Sequence, residues 1–428
     1  MTSSTQSSRG TTVLIAAAAA VMLITTGARQ VSGLFVLPII DSTGMSIASV
    51  SLALAIGQFM WGAMQPVFGA LADSYGAYRV LVFGALLLAA GCVLTAFVSS
   101  ELTLIATMGV LSAAGAAAGS FSILIGGTAR RLAANQRSTA AGAINAGGSL
   151  GQFVFAPIVQ AVIGVWGWAA AMFTLAASAL LTIPLGLPLR SKTKEEAANA
   201  LPVGAAKGGH ASVSPASASE GVARPITLGE QIRIAARDRN YIYLNLGFFT
   251  CGFHVAFLVT HLPGEIKLCG LSPGVAANSL ALIGLFNVAG SVGAGLLGQR
   301  YRMKHLLALI YGSRAVMIGI YLLMPKTALN IYMFAAGMGL TWLATVPPTS
   351  GIVGKLYGVR YLGTLFGLTL VSHQTGAFLG AWLGGVAMAQ VHSYQWIWFA
   401  DMALAAAAAL INLPIREERP LPRPAVAA

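Results

Sequence analysis

Charge is what this sequence has least of. Only 9% of its 428 residues are charged, against about 25% in an average soluble domain, while 57% are hydrophobic. The chain therefore reads as a membrane protein of many spans. Cysteine is scarce too: Cys92, Cys251 and Cys269 are an odd number with no repeated spacing, which supplies neither a disulfide framework nor a metal site. No G-x-x-x-x-G-K-[ST] loop is present, so the chain is not expected to hydrolyse ATP itself. Zinc-ligand spacing and a nucleophile–base arrangement are missing as well. No enzyme activity, metal or cofactor is expected.

What charge there is runs one way, with 25 Lys and Arg against 12 Asp and Glu, a net +13. In a soluble protein that excess would point to nucleic acid. Here it tracks topology. About 20 apolar residues cross a bilayer, and twelve such stretches are expected near 12–40, 47–72, 79–99, 102–128, 138–164, 168–190, 240–263, 276–298, 305–325, 328–354, 361–388 and 394–415. Arg9, Arg79, Arg130, Arg131, Arg137, Arg300, Arg302, Lys304, Lys355 and Arg360 then share one face with the middle linker and the tail, and only Lys267 and Lys326 fall on the other. By the positive-inside bias the crowded face, with both termini, is cytoplasmic, in a cell (inner or plasma) membrane. Trp166, Trp168, Trp396 and Trp398 sit at the outer turns, where an aromatic belt belongs. No small-residue cleavage site follows the first apolar run, so that run is expected to remain as a span.

The chain repeats itself. Gly27, Arg29 and Pro38 in span one return 225 positions later as Gly252, His254 and Pro263 in span seven. Gly142 and Gly151 return at the same offset as Gly367 and Gly376, Arg79 as Lys304, and Arg130 as Lys355. Between the copies, 191–225 changes to Lys, Glu, Gly, Pro, Ser and Ala without apolar periodicity, as a solvated linker does. The expected fold is therefore an all-α membrane protein of twelve transmembrane helices in two parallel-repeat six-helix bundles. The first bundle is 1–190 and the second 226–428. Six spans is an even number, so the copies keep one orientation about an axis along the membrane normal. The second opens on an amphipathic lead-in, with Leu228, Ile232 and Ala235 opposite Glu230, Arg233 and Arg237.

Between spans two and three runs Gly69-x-Leu71-Ala72-Asp73-x-Tyr75-Gly76-x-x-Arg79. With the duplicated spans and long middle loop, this motif resembles the major facilitator superfamily over nearly the whole chain. It departs from the usual form at Ser74 and Ala77, and Gln299 replaces the acid in the second copy. The resemblance implies alternating access, in which two halves rock about a central site, and a cytoplasmic gate built from Gly69, Asp73 and Arg79. Arg29-x-x-x-Gly33-Leu34-Phe35, and the run from Arg130 to Gln152 around span five, are similar to bacterial relatives of monocarboxylate transporters and oxalate:formate antiporters.

Ionisable groups inside the spans discriminate further. Arg29, His254, His261, Arg314 and His373 lie there, whereas acids are nearly absent; Asp401 is placed close to the outer end of span twelve. A charge at bilayer depth is costly and usually faces a cavity. Arg29 either bonds an anionic guest through its planar guanidinium, or reaches the interface or helix carbonyls. His254 reads either as a substrate and proton-coupling group or as a packing histidine. His373 and Gln374 in span eleven, with Gln30, Asn145, Gln152 and Asn287, complete the substrate-binding candidates, each with a helix-packing alternative. Arg314 is expected to bond neighbouring helices. The expected function is secondary transport of a small organic anion, a monocarboxylate or related carboxylate, coupled to protons, by a monomer in the lipid bilayer. Carboxylate exchange is the first alternative, followed by a drug-type efflux carrier and a non-transporting receptor.

Overall fold

Long uncharged runs have one stable form in lipid, since every backbone N–H and C=O must be satisfied within the segment. The computed structural model describes residues 2–129, 131–132, 134–190, 227–358 and 361–417, with side chains throughout except at 2–9, 73, 129 and 134–139. All regular structure among the described residues is helical. The expected linker, 191–225, lies outside them.

Helix α1 (Thr2–Gln30) ends one residue past Arg29. A 3-10 turn, Ser32–Phe35, joins it to α2 (Val36–Thr43), where one continuous span had been expected. The reason is packing: a Cβ on Gly33 would lie 1.9 Å from the Val259 carbonyl oxygen, so the chain tightens where two backbones touch. Next come α3 (Ile47–Tyr75) and α4 (Ala77–Thr95), separated by Gly76 at φ 89. The fourth apolar run is interrupted. It comprises α5 (Glu101–Leu104), a π-helical stretch (Ile105–Ser112), α6 (Ala113–Ala117), a turn, and α7 (Phe121–Ala129). Helix α8 (Ala134–Leu185) is 52 residues long but breaks at Gly167, whose φ of 83 is outside the helical region. That break falls between Trp166 and Trp168, at the expected outer turn.

The chain resumes with α9 (Leu228–Arg237), whose N-terminus carries a reciprocal capping box between Thr227 and Glu230. Ala235 is buried while Leu228, expected on the apolar face, is exposed. Then follow α10 (Arg239–Leu268), α11 (Pro273–Arg300) and α12 (Met303–Leu323). The tenth run is interrupted like the fourth, as α13 (Ala328–Thr341) and α14 (Val346–Tyr357). Helices α15 (Leu362–Val391) and α16 (Gln395–Asn412) close the fold. Among the described residues, ten helical stretches are long and apolar enough to cross a membrane. Helix α15, at 30 residues, stays outside that set, with Ser372, His373, Gln374 and Thr375 in its middle.

The repeat is visible in the packing. Helix α1 lies along α8, and α10 lies along α15 in the same way. Both contacts are glycine-lined. A Cβ on Gly151 would come within 2.2 Å of the Leu23 carbonyl oxygen, and one on Gly376 within 2.0 Å of that of Phe249. The sequence repeat thus marks backbone-to-backbone approach, which only small residues permit. Crossing between the copies, α3 packs on α15 and α8 packs on α11.

Candidate functional site

Arg29 closes α1 just where the chain tightens into its 3-10 turn. Its side chain is half-buried and reaches α3, where Nη1 donates to Gln58 Oε1. The guanidinium carbon sits 4.2 Å from the centre of the Trp61 ring, a cation–π contact. Gln58 and Trp61 are one helical turn apart, so both face the cation. No acid pairs with Arg29 among the described residues, and its Nε is buried without a hydrogen-bond partner. The cation is held in place by neutral groups and not neutralised.

The next residue of α3, Gly62, meets α15. A Cβ there would lie 2.2 Å from Gln374 Cγ, so Gln374 lies against the turn of α3 that orients Arg29. Its Oε1 is buried and unpartnered, while Nε2 is 3.3 Å from His373 Nδ1. His373 is nearly buried, its ring centre 4.9 Å from that of Phe248. Gln30, adjacent to Arg29, is buried with Oε1 unpartnered. Arg29, Gln58, Trp61 and Gln374 thus converge where the copies meet. Gln58 and Trp61 were not singled out in the sequence. Their only signal there is an i, i+3 spacing inside an apolar run.

The other candidates lie elsewhere. Gln152 is fully buried on α8 against Gly284 of α11, with both amide atoms unpartnered. Asn145 is half-buried on α8. Asn287 is engaged at both polar atoms: Nδ2 donates one N–H to Ser149 Oγ at 2.9 Å, and Oδ1 accepts from Ser291 Oγ at 3.0 Å and from Leu343 N at 3.0 Å. It ties α8 to α11 and to the break between α13 and α14, with one amide N–H left over. His254 is also committed. Its Nδ1 is 2.6 Å from Asp401 Oδ2, and neither side chain is exposed. The sequence reading had put Asp401 near the outer end of the last span. Six helical residues precede it in α16, and it lies fully buried beside α10. His261, two turns beyond His254, bonds the Ala381 carbonyl at 2.7 Å.

Arg314 bonds a neighbouring helix, as its place suggested. It is fully buried and donates to the carbonyls of Thr341 and Trp342, the second at 2.7 Å, where α13 stops. The α13–α14 break leaves those carbonyls without helical partners, and the guanidinium supplies them.

The gate motif is described in part. Arg79 is exposed on the first turn of α4, Gly69 is half-buried, and the side chain of Asp73 lies outside the described residues. The geometry around it is informative. Helices α3 and α15 touch at Ser51 against Gly385 and at Gly62 against Gln374. Seven residues beyond the second contact on each helix, and so on the same faces, Gly69 and Gly367 have nothing within 4 Å. The two helices part toward the end of the molecule that carries Gly76 and Tyr361.

Against known proteins, the profile of the Major Facilitator Superfamily matches residues 15–381. The oxalate:formate antiporter of Oxalobacter formigenes is 25% identical over 365 residues, covering 83% of this chain and 81% of that one. Monocarboxylate transporter 13 of Bos taurus is 24% identical over 396 residues, covering 91% and 85%. Among solved structures, a D-xylose–proton symporter superposes with a TM-score of 0.70 at 13% identity, over 94% of this chain and 97% of that one. The chain belongs to the major facilitator superfamily, and is a multi-pass membrane transporter and not an enzyme.

Proposed function

We propose that the chain is a secondary active transporter of small organic anions, a monocarboxylate or related carboxylate, working by alternating access. One observation carries this reading: a half-buried guanidinium inside an apolar run, fixed by Gln58 and Trp61, with Nε free and no acid to neutralise it. A carboxylate satisfies such a group with two parallel hydrogen bonds. The names of the two relatives, an oxalate:formate antiporter and a monocarboxylate transporter, point to the same chemistry.

Twelve helices in two six-helix halves, 1–190 and 226–428, fit the packing. Dividing the 140–185 stretch at Gly167 and adding α15 brings the ten membrane-length helices to twelve. The paired contacts α1–α8 and α10–α15, crossed by α3–α15 and α8–α11, have the symmetry of a parallel duplication. With the basic loops in the cytoplasm of a cell membrane, the open space beside Gly69 and Gly367, beyond the contact of Gly62 with Gln374, supports an inward-open reading of this conformation. Arg29 and Gln374, with Gln58 and Trp61, form the binding set. Proton symport is the coupling proposed. Carboxylate exchange is the second reading, favoured by the antiporter relative.

The test is uptake of labelled formate, lactate and oxalate into proteoliposomes holding the purified chain. Arg29→Ala and Arg29→Lys are expected to abolish it in protein that still inserts and melts normally. Near-normal uptake by both variants sinks the anchor. Extrusion of lipophilic dyes without competition by carboxylates would favour an efflux carrier instead, and ligand binding without flux a receptor.

A further inference from the structure

Outside the Arg29 cluster lies a second pair of ionisable groups at membrane depth, and it has no role in holding the anion. His254 of α10 and Asp401 of α16 approach to 2.6 Å, from positions 147 residues apart, and both are wholly buried. Each keeps an unused polar atom: His254 Nε2 and Asp401 Oδ1 are buried and without partners. The surroundings are aromatic. The Trp342 ring centre is 6.2 Å from that of the imidazole. Phe257, one turn beyond His254, meets Trp398, one turn before Asp401, edge to face at 4.9 Å.

The remaining ionisable groups on the packed elements are accounted for. On α10, Cys251 approaches Thr345 Oγ1 at 3.2 Å, His261 is bonded to the Ala381 carbonyl, and Glu265 lies within reach of Tyr321 at 3.4 Å. From α12, Arg314 is bonded to the carbonyls of Thr341 and Trp342 and forms no ion pair with Asp401, and Tyr311 stacks beside Arg314. From α15, His373 faces Phe248 and Gln374. Tyr394, just before α16, packs on His261. Asp41, in the last turn of α2, pairs with Lys267 at the surface. No group among these shares the pair's hydrogen bond.

We propose that His254 and Asp401 together form the proton-binding site that couples transport, resting on the carboxylate-transporter reading above. The chemistry is a single reversible step. With one mobile proton, the pair is an imidazolium beside a carboxylate, or a neutral imidazole beside a carboxylic acid, and its net charge is zero. Loss of that proton leaves a neutral imidazole and a carboxylate, net −1. A low-dielectric enclosure disfavours the charged form. The enclosed pair is the place where the proton is taken up, and rearrangement of α10 against α16 that admits water to the unpartnered His254 Nε2 and Asp401 Oδ1 is the step that lets it leave. The duplication sharpens the argument. His254 stands at the repeat position of Arg29, so one copy carries a guanidinium there and the other an imidazole paired with a carboxyl group. Anion and proton are then bound at separate places and coupled through conformation.

The experiment compares wild type, His254→Gln, Asp401→Asn and Arg29→Ala in proteoliposomes, with labelled formate, lactate and oxalate as probes. An imposed inward proton gradient should drive accumulation in wild type. His254→Gln and Asp401→Asn should lose at least about tenfold of that accumulation while losing less than about threefold of counterflow exchange at equal pH. Arg29→Ala should lose both. Retained gradient-driven accumulation in Asp401→Asn overturns the proposal, as does equal loss of accumulation and counterflow in variants that melt like wild type. If wild type exchanges the probes but ignores the gradient, the proton site fails and the anion site stands. A flux-independent measurement covers the opposite case. Infrared difference spectra of the purified protein between about pH 5 and about pH 9 should show a carboxyl or imidazole band that both single substitutions remove. Absence of that band in wild type overturns the proposal even if carboxylate flux is intact.

Discussion

Two guanidiniums sit inside apolar runs of this chain, and their surroundings have little in common. Arg29 is half-buried, holds one neutral acceptor, and leaves Nε free. Arg314 is fully buried and directs its donors at the carbonyls where α13 stops. The first is a cation kept available and the second a cation that closes a gap in a helix. Burial and charge alone do not separate them. What separates them is whether backbone oxygens already occupy the donors. The repeat supports the division: Arg29 has an ionisable counterpart, His254, whereas 225 positions before Arg314 stands Ala89, and 225 before the 343–345 turn lies the 118–120 turn. There the Thr25 hydroxyl serves the Gly119 carbonyl at 3.0 Å. The same break is closed by a neutral hydroxyl in one copy and by a charge in the other.

Substitutions should break this contrast or sharpen it. Arg29→Ala is expected to reduce carboxylate uptake by at least about 100-fold, equivalent to nearly 3 kcal/mol, with an unchanged melting temperature; an unstable Arg29→Ala protein would make the two cations alike. Arg314→Met should act in reverse. It leaves the Thr341 carbonyl without the guanidinium and the Trp342 carbonyl with only the Cys251 thiol at 3.8 Å, costing about 2–4 kcal/mol of stability, read as a lower melting temperature, while the protein that remains folded binds carboxylate as before. Asn287→Ala removes the link between Ser149 and the Leu343 amide and should cost about 1–3 kcal/mol. Spin labels on α8 and α11 should then report a broader distance distribution. Thr25→Val, the neutral counterpart of the Arg314 closure, should cost about 1 kcal/mol. The smallest effect is expected at α9, on the aqueous side. Thr227, through its backbone N–H and its hydroxyl, holds the Glu230 carboxyl below the ordinary carboxylate range. A lowered folded pKa gives stabilisation that is present above the unfolded pKa and lost as pH falls through the folded one. Amide exchange at the start of α9 should accelerate only in acid, and in Glu230→Gln the acid dependence should vanish.

The parts of this architecture that depend on local composition were legible in the sequence. The 225-residue repeat located Gly151 and Gly376, and the structure gives both the same physical reason. The turn between Trp166 and Trp168 fell where Gly167 adopts a positive φ. Arg314 was placed in packing from its position in the span. What escaped were encounters between distant segments. Nothing near His254 announces Asp401, and a Gln and a Trp within an apolar run carry no mark that they face Arg29. The bend at Ser32–Phe35 was hidden for a related reason, because it answers to the Val259 backbone of another helix. Asn287 shows the limit of reading polarity alone. A polar residue at depth reads equally as a binding or a packing group, and only the folded chain shows that this amide joins three helical segments.

The glycine contacts along α1–α8 and α10–α15 have a mechanical consequence. Where main chain rests directly on main chain there are no side-chain rotamers to absorb a displacement, so each couple tilts as one stiff lever. The compliance such levers need is then left to the places where regular hydrogen bonding stops, at 32–35, 118–120 and 342–345.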